Sequence, residues 1–208
     1  MIVTLDGRRL DDSFAADCTM DAVIEQVRGT HLGGRLLVSV AVDGHNLTDE
    51  ELREGLPQPV ADDAQLDLES AERTDIVRDA LRGLAAEFEA AADGHVQIAD
   101  RLSAGDVAGG LKDVGEFIQL WQTCYRTLTQ CCELAGEDLT RREHAGRGMK
   151  DYLKELVTKL NELRNALDAR DMVLLADLLR YELPPLCRTW QELLTDVSGQ
   201  ATPVAVQS

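Results

Sequence analysis

The fold class is decided at one stretch, residues 65–88, which reads QLDLESAERTDIVRDALRGLAAEF. Its first part alternates apolar and polar residues and places Leu66 and Leu68 on one side, as in a half-buried strand. From Val77 onward the apolar residues recur every three or four positions, which is the period of a helix. The pattern therefore predicts an α+β protein with a boundary near Glu72.

The charge of the chain changes at the same place. Residues 1–72 carry 16 acidic and 5 basic side chains, whereas residues 73–208 carry 22 and 16. A change of period that coincides with a change of charge favours a domain boundary. We predict one domain over 1–72, a helical bundle over 73–198 and a flexible tail over 199–208, which lacks any periodic pattern.

Local signals give the order of elements in the N-terminal domain. Asp6-Gly7 and Asp43-Gly44 predict tight turns between strands. Thr19 predicts the start of a helix, and Thr48 with Glu51 forms a capping box that opens a short one. Alternation predicts that the third strand buries one side, made of Leu36, Val38, Val40 and Val42. The predicted order is hairpin, helix, strand, short strand, short helix, strand.

This order resembles the ubiquitin-like β-grasp fold. The local likeness runs through residues 36–70, LLVSVAVDGHNLTDEELREGLPQPVADDAQLDLES, which correspond to the stretch from the third strand of ubiquitin to its last. The resemblance covers about the first 70 residues and is a match of pattern. A free di-glycine tail is missing, because Gly33-Gly34 lies inside the chain and the sequence ends in Gln207-Ser208. Conjugation chemistry is therefore not implied.

The second half contains four heptad runs, which begin at Val77, Val107, Met149 and Met172. Sustained heptads with short connections predict an antiparallel bundle of about four long helices. The second run is predicted to bury Val107, Leu111, Val114, Ile118, Trp121, Tyr125, Leu128, Cys132 and Ala135. Pro184-Pro185 interrupts the last run, which predicts one bent helix or two abutting ones.

The last run also resembles a family of uncharacterised bacterial proteins with a helical C-terminal region. The resemblance rests on Ala166 to Leu186, ALDARDMVLLADLLRYELPPL. It implies no activity, because those proteins have no established function.

The balance of charge excludes several classes of partner. The formal net charge is −17, so phosphate backbones and anionic membranes would be repelled along most approaches. The sequence contains no apolar run long enough for a transmembrane helix and no signal-peptide pattern at its start. We expect a cytoplasmic protein that binds neither nucleic acid nor membranes.

Residue types that could carry chemistry occur without a supporting pattern. The five cysteines lack the Cys-x-x-Cys spacing of zinc sites, and we interpret them as reduced, mostly buried residues. His95 falls on a heptad seam, where a core histidine with one hydrogen bond is favoured over a metal ligand. Asp177 and Glu182 near Tyr181 are interpreted as charges on the outer side of a helix. We predict no catalytic residue, no metal and no cofactor.

A second apolar stripe runs beside the seam of the second long helix and includes Phe117 and Leu120. A helix that is apolar on two faces must be covered on both. Either this helix is central in the bundle, or the stripe meets the N-terminal domain or another subunit. The stripe is therefore a candidate interaction surface, and a homodimer is possible.

The predicted function is a non-enzymatic protein-interaction or adaptor module. Its partner would be another protein with basic residues, selected by an acidic cluster on the short helix: Asp49, Glu50, Glu51 and Glu54. One alternative is an export or secretion chaperone that binds an amphipathic segment. The other is an enzyme or cofactor binder with a pocket between the helices near His95, Trp121 and Tyr125.

Overall fold

A computed structural model describes residues 1–15, 17–136 and 138–200. It has the α+β composition that the sequence predicts, and the chain divides into two compact units, Met1–Asp75 and Ile76–Val204. The last helix ends at Gly199, the first residue of the predicted tail. Residues 201–208 lie outside the described residues.

The N-terminal unit is a mixed five-stranded sheet with two helices. Its elements are β1 (Ile2–Leu5), β2 (Arg8–Arg9), α1 (Met20–Thr30), β3 (Leu36–Val42), β4 (His45–Asn46), α2 (Asp49–Gly55) and β5 (Gln65–Ala71). The strand order is β2-β1-β5-β3-β4, with β1 parallel to β5 and the other pairs antiparallel. Val3 of β1 and Leu66 of β5 are register partners, and both lie in a core that also contains Val23 and Val27 of α1.

The turn and cap signals of this unit are confirmed. Asp6 and Gly7 adopt φ values of 51° and 74°, which suit the tight hairpin between β1 and β2. The Thr19 hydroxyl accepts the hydrogen bond of the Ala22 amide at the start of α1. Thr48 and Glu51 form the predicted capping box of α2.

The predicted alternation of β3 is wrong at its beginning. The pairing of β3 with β5 shifts between Leu37 and Ser39, so the strand carries a bulge at this point. As a result Leu37 packs against the core, whereas Val38 is 52% exposed. After the bulge the predicted phase holds, because Val40 is buried.

The C-terminal unit is helical. Its elements are α3 (Arg73–Ser103), α4 (Val107–Ala135), a 3-10 turn (Leu139–Arg141), β6 (Glu143–His144), β7 (Arg147–Gly148), α5 (Met149–Asp168), α6 (Met172–Asp177), a π-helical segment (Leu178–Glu182) and α7 (Leu183–Gly199). Helices α3 and α4 pack antiparallel, since Phe88 contacts Trp121 and His95 contacts Phe117. Trp190 of α7 completes the aromatic centre, with its ring 5.5 Å from that of Trp121.

The most enclosed helix of this unit is α7. Its buried residues cover a broad arc: Leu183, Pro184, Leu186, Cys187, Trp190, Leu193, Leu194, Val197 and Ser198. The two prolines stand in its first turn, where fewer backbone donors are needed. The preceding π-helical segment ends with the Leu183 amide donating to the Leu178 carbonyl.

The predicted seam of α4 is correct at Val114, Trp121 and Leu128, and it is one residue late at Leu111, Ile118, Tyr125 and Cys132. The buried positions are Gly110, Val114, Phe117, Trp121, Cys124, Leu128 and Cys131, which also follow a heptad. Tyr125, which the sequence placed inside, is 69% exposed. A Cβ added at Gly110 would lie 2.5 Å from Leu102 Cδ2, so the glycine permits the close approach of α3 and α4 on this face.

Candidate functional site

The predicted acidic cluster lies on the surface of the N-terminal unit, and one of its members has a structural role. Asp49, Glu50 and Glu54 are exposed. The Glu51 carboxylate accepts hydrogen bonds from the Thr48 amide, at 2.8 Å, and from the Thr48 hydroxyl, at 2.9 Å. These bonds lower the pKa of Glu51 to about 2. Its charge therefore caps α2 and is only partly available to a partner.

The predicted apolar pair lies in the helical unit, mostly inside it. Phe117 is buried in the helical core, and Leu120 is partly buried against that core. Phe117 is thus not an exposed residue of an interaction surface. Phe117, unlike Leu120, is a position of the buried seam of α4, where its ring meets that of His95 of α3.

Both residues line a groove between α3 and α4, which we call the α3–α4 groove. It has a volume of about 360 Å³ and is lined by Ala91, Gly94, His95, Gln97, Ile98, Arg101, Asp113, Glu116, Phe117 and Leu120. The charges of the lining partly neutralise one another, because Arg101 pairs with Asp113. Arg101 Nε also lies 3.3 Å from an oxygen of Asp106. Apolar side chains and the imidazole of His95 form the remainder.

The three residues of the predicted catalytic or cofactor pocket are only partly brought together. His95 and Trp121 are buried and both contact Phe117, with ring centroids 4.0 and 5.8 Å from it. Tyr125 lies on the exposed side of α4. Trp121 does not line the α3–α4 groove, and its indole nitrogen has no hydrogen-bond partner within the described residues.

A different exposed surface was missed by the sequence reasoning. Val173 is 74% exposed, Leu174 45% and Tyr181 63%, and we call these three residues the α6 patch. Leu174 and Tyr181 border a cleft of about 320 Å³, whose other lining residues are Lys159, Glu162, Asp177, Leu178 and Glu182. The signal was present in the sequence, because Val173 and Leu174 are apolar residues that fall between the seam positions.

The charges around this cleft are mostly negative. Lys159 Nζ lies 2.9 Å from an oxygen of Glu162 and 3.4 Å from one of Glu182. The hydrogen bond to Glu162 is the main reason that the pKa of Lys159 is raised. Asp177 forms no ion pair within the described ranges. The cleft is therefore lined by three carboxylates and one ammonium group, so its charge is predominantly negative.

The cysteines are unsuited to nucleophilic chemistry where the helical core encloses them. Burial raises the pKa of Cys124 and of Cys187 to about 12, and that of Cys131 to about 11. These thiols stay protonated at neutral pH and behave as small apolar side chains. In the part of the chain that the structure describes, no three His, Cys, Asp or Glu residues are grouped so as to hold a metal ion.

The molecule is thus an α+β protein with a mixed sheet in its N-terminal unit and a long-helix C-terminal unit. Residues 79–193 match the family described as domain of unknown function (DUF8042). The match covers more than half of the chain, which therefore belongs to this family. It includes both the α3–α4 groove and the α6 patch.

One relative matches the chain over most of its length. The chain is 26% identical over 193 residues to an uncharacterized protein of Treponema pallidum (strain Nichols), a match that covers 90% of this chain and 93% of the relative. The predicted resemblance to an uncharacterised bacterial family is supported by these two matches. No solved structure matches the chain. Within the described ranges, every helix is too short or too polar to cross a lipid bilayer.

Proposed function

We propose that this protein is a non-enzymatic protein-interaction module that binds its partner through the α6 patch. The observation that carries the proposal is the exposure of Val173, Leu174 and Tyr181, of which the last two border one cleft. Leu174 and Tyr181 place exposed apolar surface beside one cleft, and Val173 is the neighbour of Leu174 in α6. Contiguous exposed apolar surface is typical of an interaction site. Tyrosine contributes strongly to such sites, because its large ring loses little conformational freedom on binding.

The charges of the cleft define the chemistry of the partner. Glu162, Asp177 and Glu182 outnumber Lys159, so a lysine or arginine of the partner is favoured there. An arginine could also stack on the exposed ring of Tyr181. The partner segment therefore combines an apolar side chain, which covers Val173 and Leu174, with a basic one. Its association is accelerated by the net charge of −17 and slowed by salt.

A π-helical segment carries part of this surface. Leu178–Glu182 contains Tyr181 and Glu182, and it directly follows α6, which contains Val173 and Leu174. π-Helical segments are rare in proteins, and those that occur often lie at functional sites. Leu175 and Leu179 of the same region are buried in the helical core, so the segment packs against the core while Val173, Leu174 and Tyr181 remain exposed.

The N-terminal unit is proposed to be a ubiquitin-like β-grasp domain. The proposal is supported by the strand order β2-β1-β5-β3-β4, by the parallel pairing of β1 with β5 and by the position of α1 between the first hairpin and β3. Exposed Asp49, Glu50 and Glu54 give this unit a second acidic surface for a basic partner. If that surface steers association, Glu50→Gln with Glu54→Gln should lower the on-rate at low salt only.

Two alternatives remain hypotheses of different kinds. An export or secretion chaperone would use the same apolar and acidic features to hold an amphipathic segment of an unfolded client. An enzyme or cofactor binder would use the α3–α4 groove, where His95 is the titratable group enclosed by the helices. The α6 patch favours the interaction module, since it is an exposed surface distinct from the groove.

The test is affinity purification of the full chain from its source cells with two matched double variants. Val173→Lys with Tyr181→Ala changes the α6 patch, whereas Val157→Lys with Tyr125→Ala changes a valine and a tyrosine that are similarly exposed elsewhere on the helical unit. All four positions are at the surface, so each change should alter stability by no more than about 0.5 kcal/mol.

We expect one protein to be retained by the wild type and by the control variant, and lost from the patch variant. A client retained only while unfolded would favour the chaperone instead. Retention of the same proteins by both double variants would contradict the proposal. A sedimentation measurement of the purified chain shows whether a second copy occupies the patch.

A further inference from the structure

Three arginines border one cleft of the N-terminal unit, which we call the arginine cleft. It has a volume of about 350 Å³ and is lined by Arg28, Leu32, Gly34, Arg35, Leu36, Leu37 and Arg73. Residues 1–75 of this unit contain 17 acidic side chains, six arginines and no lysine. The lining contains three of the six arginines and, among the described residues, no carboxylate. In a unit so rich in negative charge, this gathering of positive charge favours an anionic ligand.

The pairing of strands brings these arginines together from separate parts of the sequence. Arg28 lies in the last turn of α1. Arg35 directly precedes β3, and Arg73 begins α3 two residues after the end of β5. The antiparallel pairing of Leu36 with Ala71 places these two strand ends side by side. The cleft is therefore a product of the fold.

Arg35 is the anchored member of the three. Its Nη2 donates a hydrogen bond of 2.7 Å to the carbonyl oxygen of Ser70 and lies 3.4 Å from Asp6 Oδ2. The Asp6 carboxylate also accepts hydrogen bonds from the Ser70 amide, at 2.7 Å, and from the Ser70 hydroxyl, at 2.8 Å. A guanidinium group has more N–H donors than these two partners occupy. Because Arg35 is already held in place, it loses little further freedom when a ligand binds.

The other two arginines are exposed and available to a ligand. Arg73 forms no ion pair within the part of the chain that the structure describes. Arg28 Nη1 lies 2.6 Å from Glu25 Oε1, and both of these side chains are more than half exposed. Exposed ion pairs of this kind contribute little stability. Arg28 can therefore exchange Glu25 for a more strongly charged ligand at small cost.

The chemistry of the lining favours a phosphate monoester among anions. The planar fork of N–H donors on arginine matches the oxygens of a phosphate group. A phosphate monoester carries about two negative charges at neutral pH and three acceptor oxygens, whereas a carboxylate carries one charge and two oxygens. Three guanidinium groups suit the former better. Leu32, Leu36 and Leu37 supply apolar lining for the organic part of the ligand.

The size of the cleft and the charge around it favour a small ligand. Its volume lies within the range of small-molecule sites, which begins at about 300 Å³. The Debye length is about 8 Å at physiological ionic strength, so contacts inside the cleft outweigh the distant carboxylates. An extended polyanion would instead meet the acidic remainder of the surface.

We infer that the arginine cleft binds a small phosphate monoester, whose phosphate oxygens accept hydrogen bonds from Arg28, Arg35 and Arg73 and whose organic part lies against the leucines. The cleft lies in the N-terminal unit and the α6 patch in the helical unit. The inference therefore holds or fails independently of the proposed function.

The test titrates three probes into the full chain labelled with ¹⁵N-arginine, with affinity measured by calorimetry. Phenyl phosphate and phenyl sulfate share a ring but differ in charge, and inorganic phosphate lacks the ring. We expect phenyl phosphate to bind about tenfold more tightly than either of the others. It should also move the side-chain Nε resonances of the three cleft arginines and leave that of Arg53 in place.

Matched variants locate the site. Arg28→Gln and Arg73→Gln should each weaken the binding of phenyl phosphate about tenfold. Arg53→Gln removes the same charge from an exposed arginine of α2 that does not line the cleft, so it should leave the affinity unchanged. All three positions are exposed, and circular dichroism should show the same folded state in each variant.

Vesicles that contain phosphatidate present the same monoester on a lipid. We expect no binding to them, because the net charge of −17 repels an anionic surface. Vesicle binding that Arg73→Gln abolishes would support the phosphate site and identify a lipid headgroup as the source of the ligand.

Three results would overturn the inference. They are absence of phenyl phosphate binding, equal affinity for phenyl phosphate and phenyl sulfate, and an equal loss of affinity in Arg53→Gln and Arg73→Gln. The last result would mean that only the overall charge of the chain matters.

Discussion

Gly110→Ala should destabilise the helical unit, although alanine is the better helix former. A Cβ at position 110 would lie 2.5 Å from Leu102 Cδ2 and 2.7 Å from Leu102 Cγ. Real side chains do not approach so closely, and Leu102 is itself buried, so it cannot swing into solvent. Either Leu102 leaves its rotamer or α3 and α4 move apart.

The magnitude follows from two opposing effects. Overpacking of a buried site costs about 1–3 kcal/mol, whereas replacing glycine by alanine inside a helix gains about 0.5–1 kcal/mol. The expected net loss therefore lies between about 0 and 2.5 kcal/mol. Gly115→Ala in the same helix is the matched control, because a Cβ there meets no described atom within 4 Å. It should stabilise the unit by about 0.5–1 kcal/mol.

The assay is urea unfolding followed by tryptophan fluorescence. Both tryptophans of the sequence, Trp121 and Trp190, lie in the helical core, so their emission reports on this unit alone. On a Leu102→Ala background the penalty of Gly110→Ala should vanish, since the atoms that it would meet are gone. If Gly110→Ala stabilised the wild type as Gly115→Ala does, the close approach of α3 and α4 would be refuted.

Three further outcomes are expected. The pKa of His95 is about 4 in the folded chain, below its ordinary value of 6.5, so the unfolded chain takes up the proton first as the pH falls. Lowering the pH from 7 to 5 should therefore reduce the free energy of unfolding by about 2 kcal/mol. Urea unfolding at each pH would measure this loss, and His95→Phe should remove it. Iodoacetamide at pH 7.5 should modify the partly exposed Cys18 but spare Cys124 until the chain is unfolded, as mass spectrometry of the digested protein would show. A fragment of residues 73–198 should be strongly helical by circular dichroism, whereas an unfolded fragment would mean that its core needs residues 1–72.

Features with a local cause could be predicted from the sequence. The capping box of Thr48 and Glu51 and the turn at Asp6-Gly7 each involve a few neighbouring residues, and both are confirmed. The heptads of the last run also indicated correctly that Leu175, Leu179 and Trp190 would be buried.

Features that depend on packing could not. Helix α4 carries two adjacent apolar stripes, and periodicity alone does not show which of them is buried. The buried stripe is the one that contains Gly110, where Leu102 of α3 approaches closely. The bulge near Val38 likewise depends on how β3 pairs with β5. The α6 patch was readable in principle, because Val173 and Leu174 are apolar residues outside the seam. The charges of Asp177 and Glu182 beside Tyr181 are equally typical of an ordinary solvated helix face, so the sequence alone did not distinguish the patch.

If the partner contacts the α6 patch, photo-crosslinking from position 181 will capture it. A benzophenone amino acid replaces Tyr181 in one variant and Tyr125 in another, so that one exposed aromatic residue is exchanged for another in both. We expect a single major adduct from position 181, absent from position 125 and lost when Val173→Lys is added. The same adducts from both positions, or none from position 181, would contradict contact at the α6 patch.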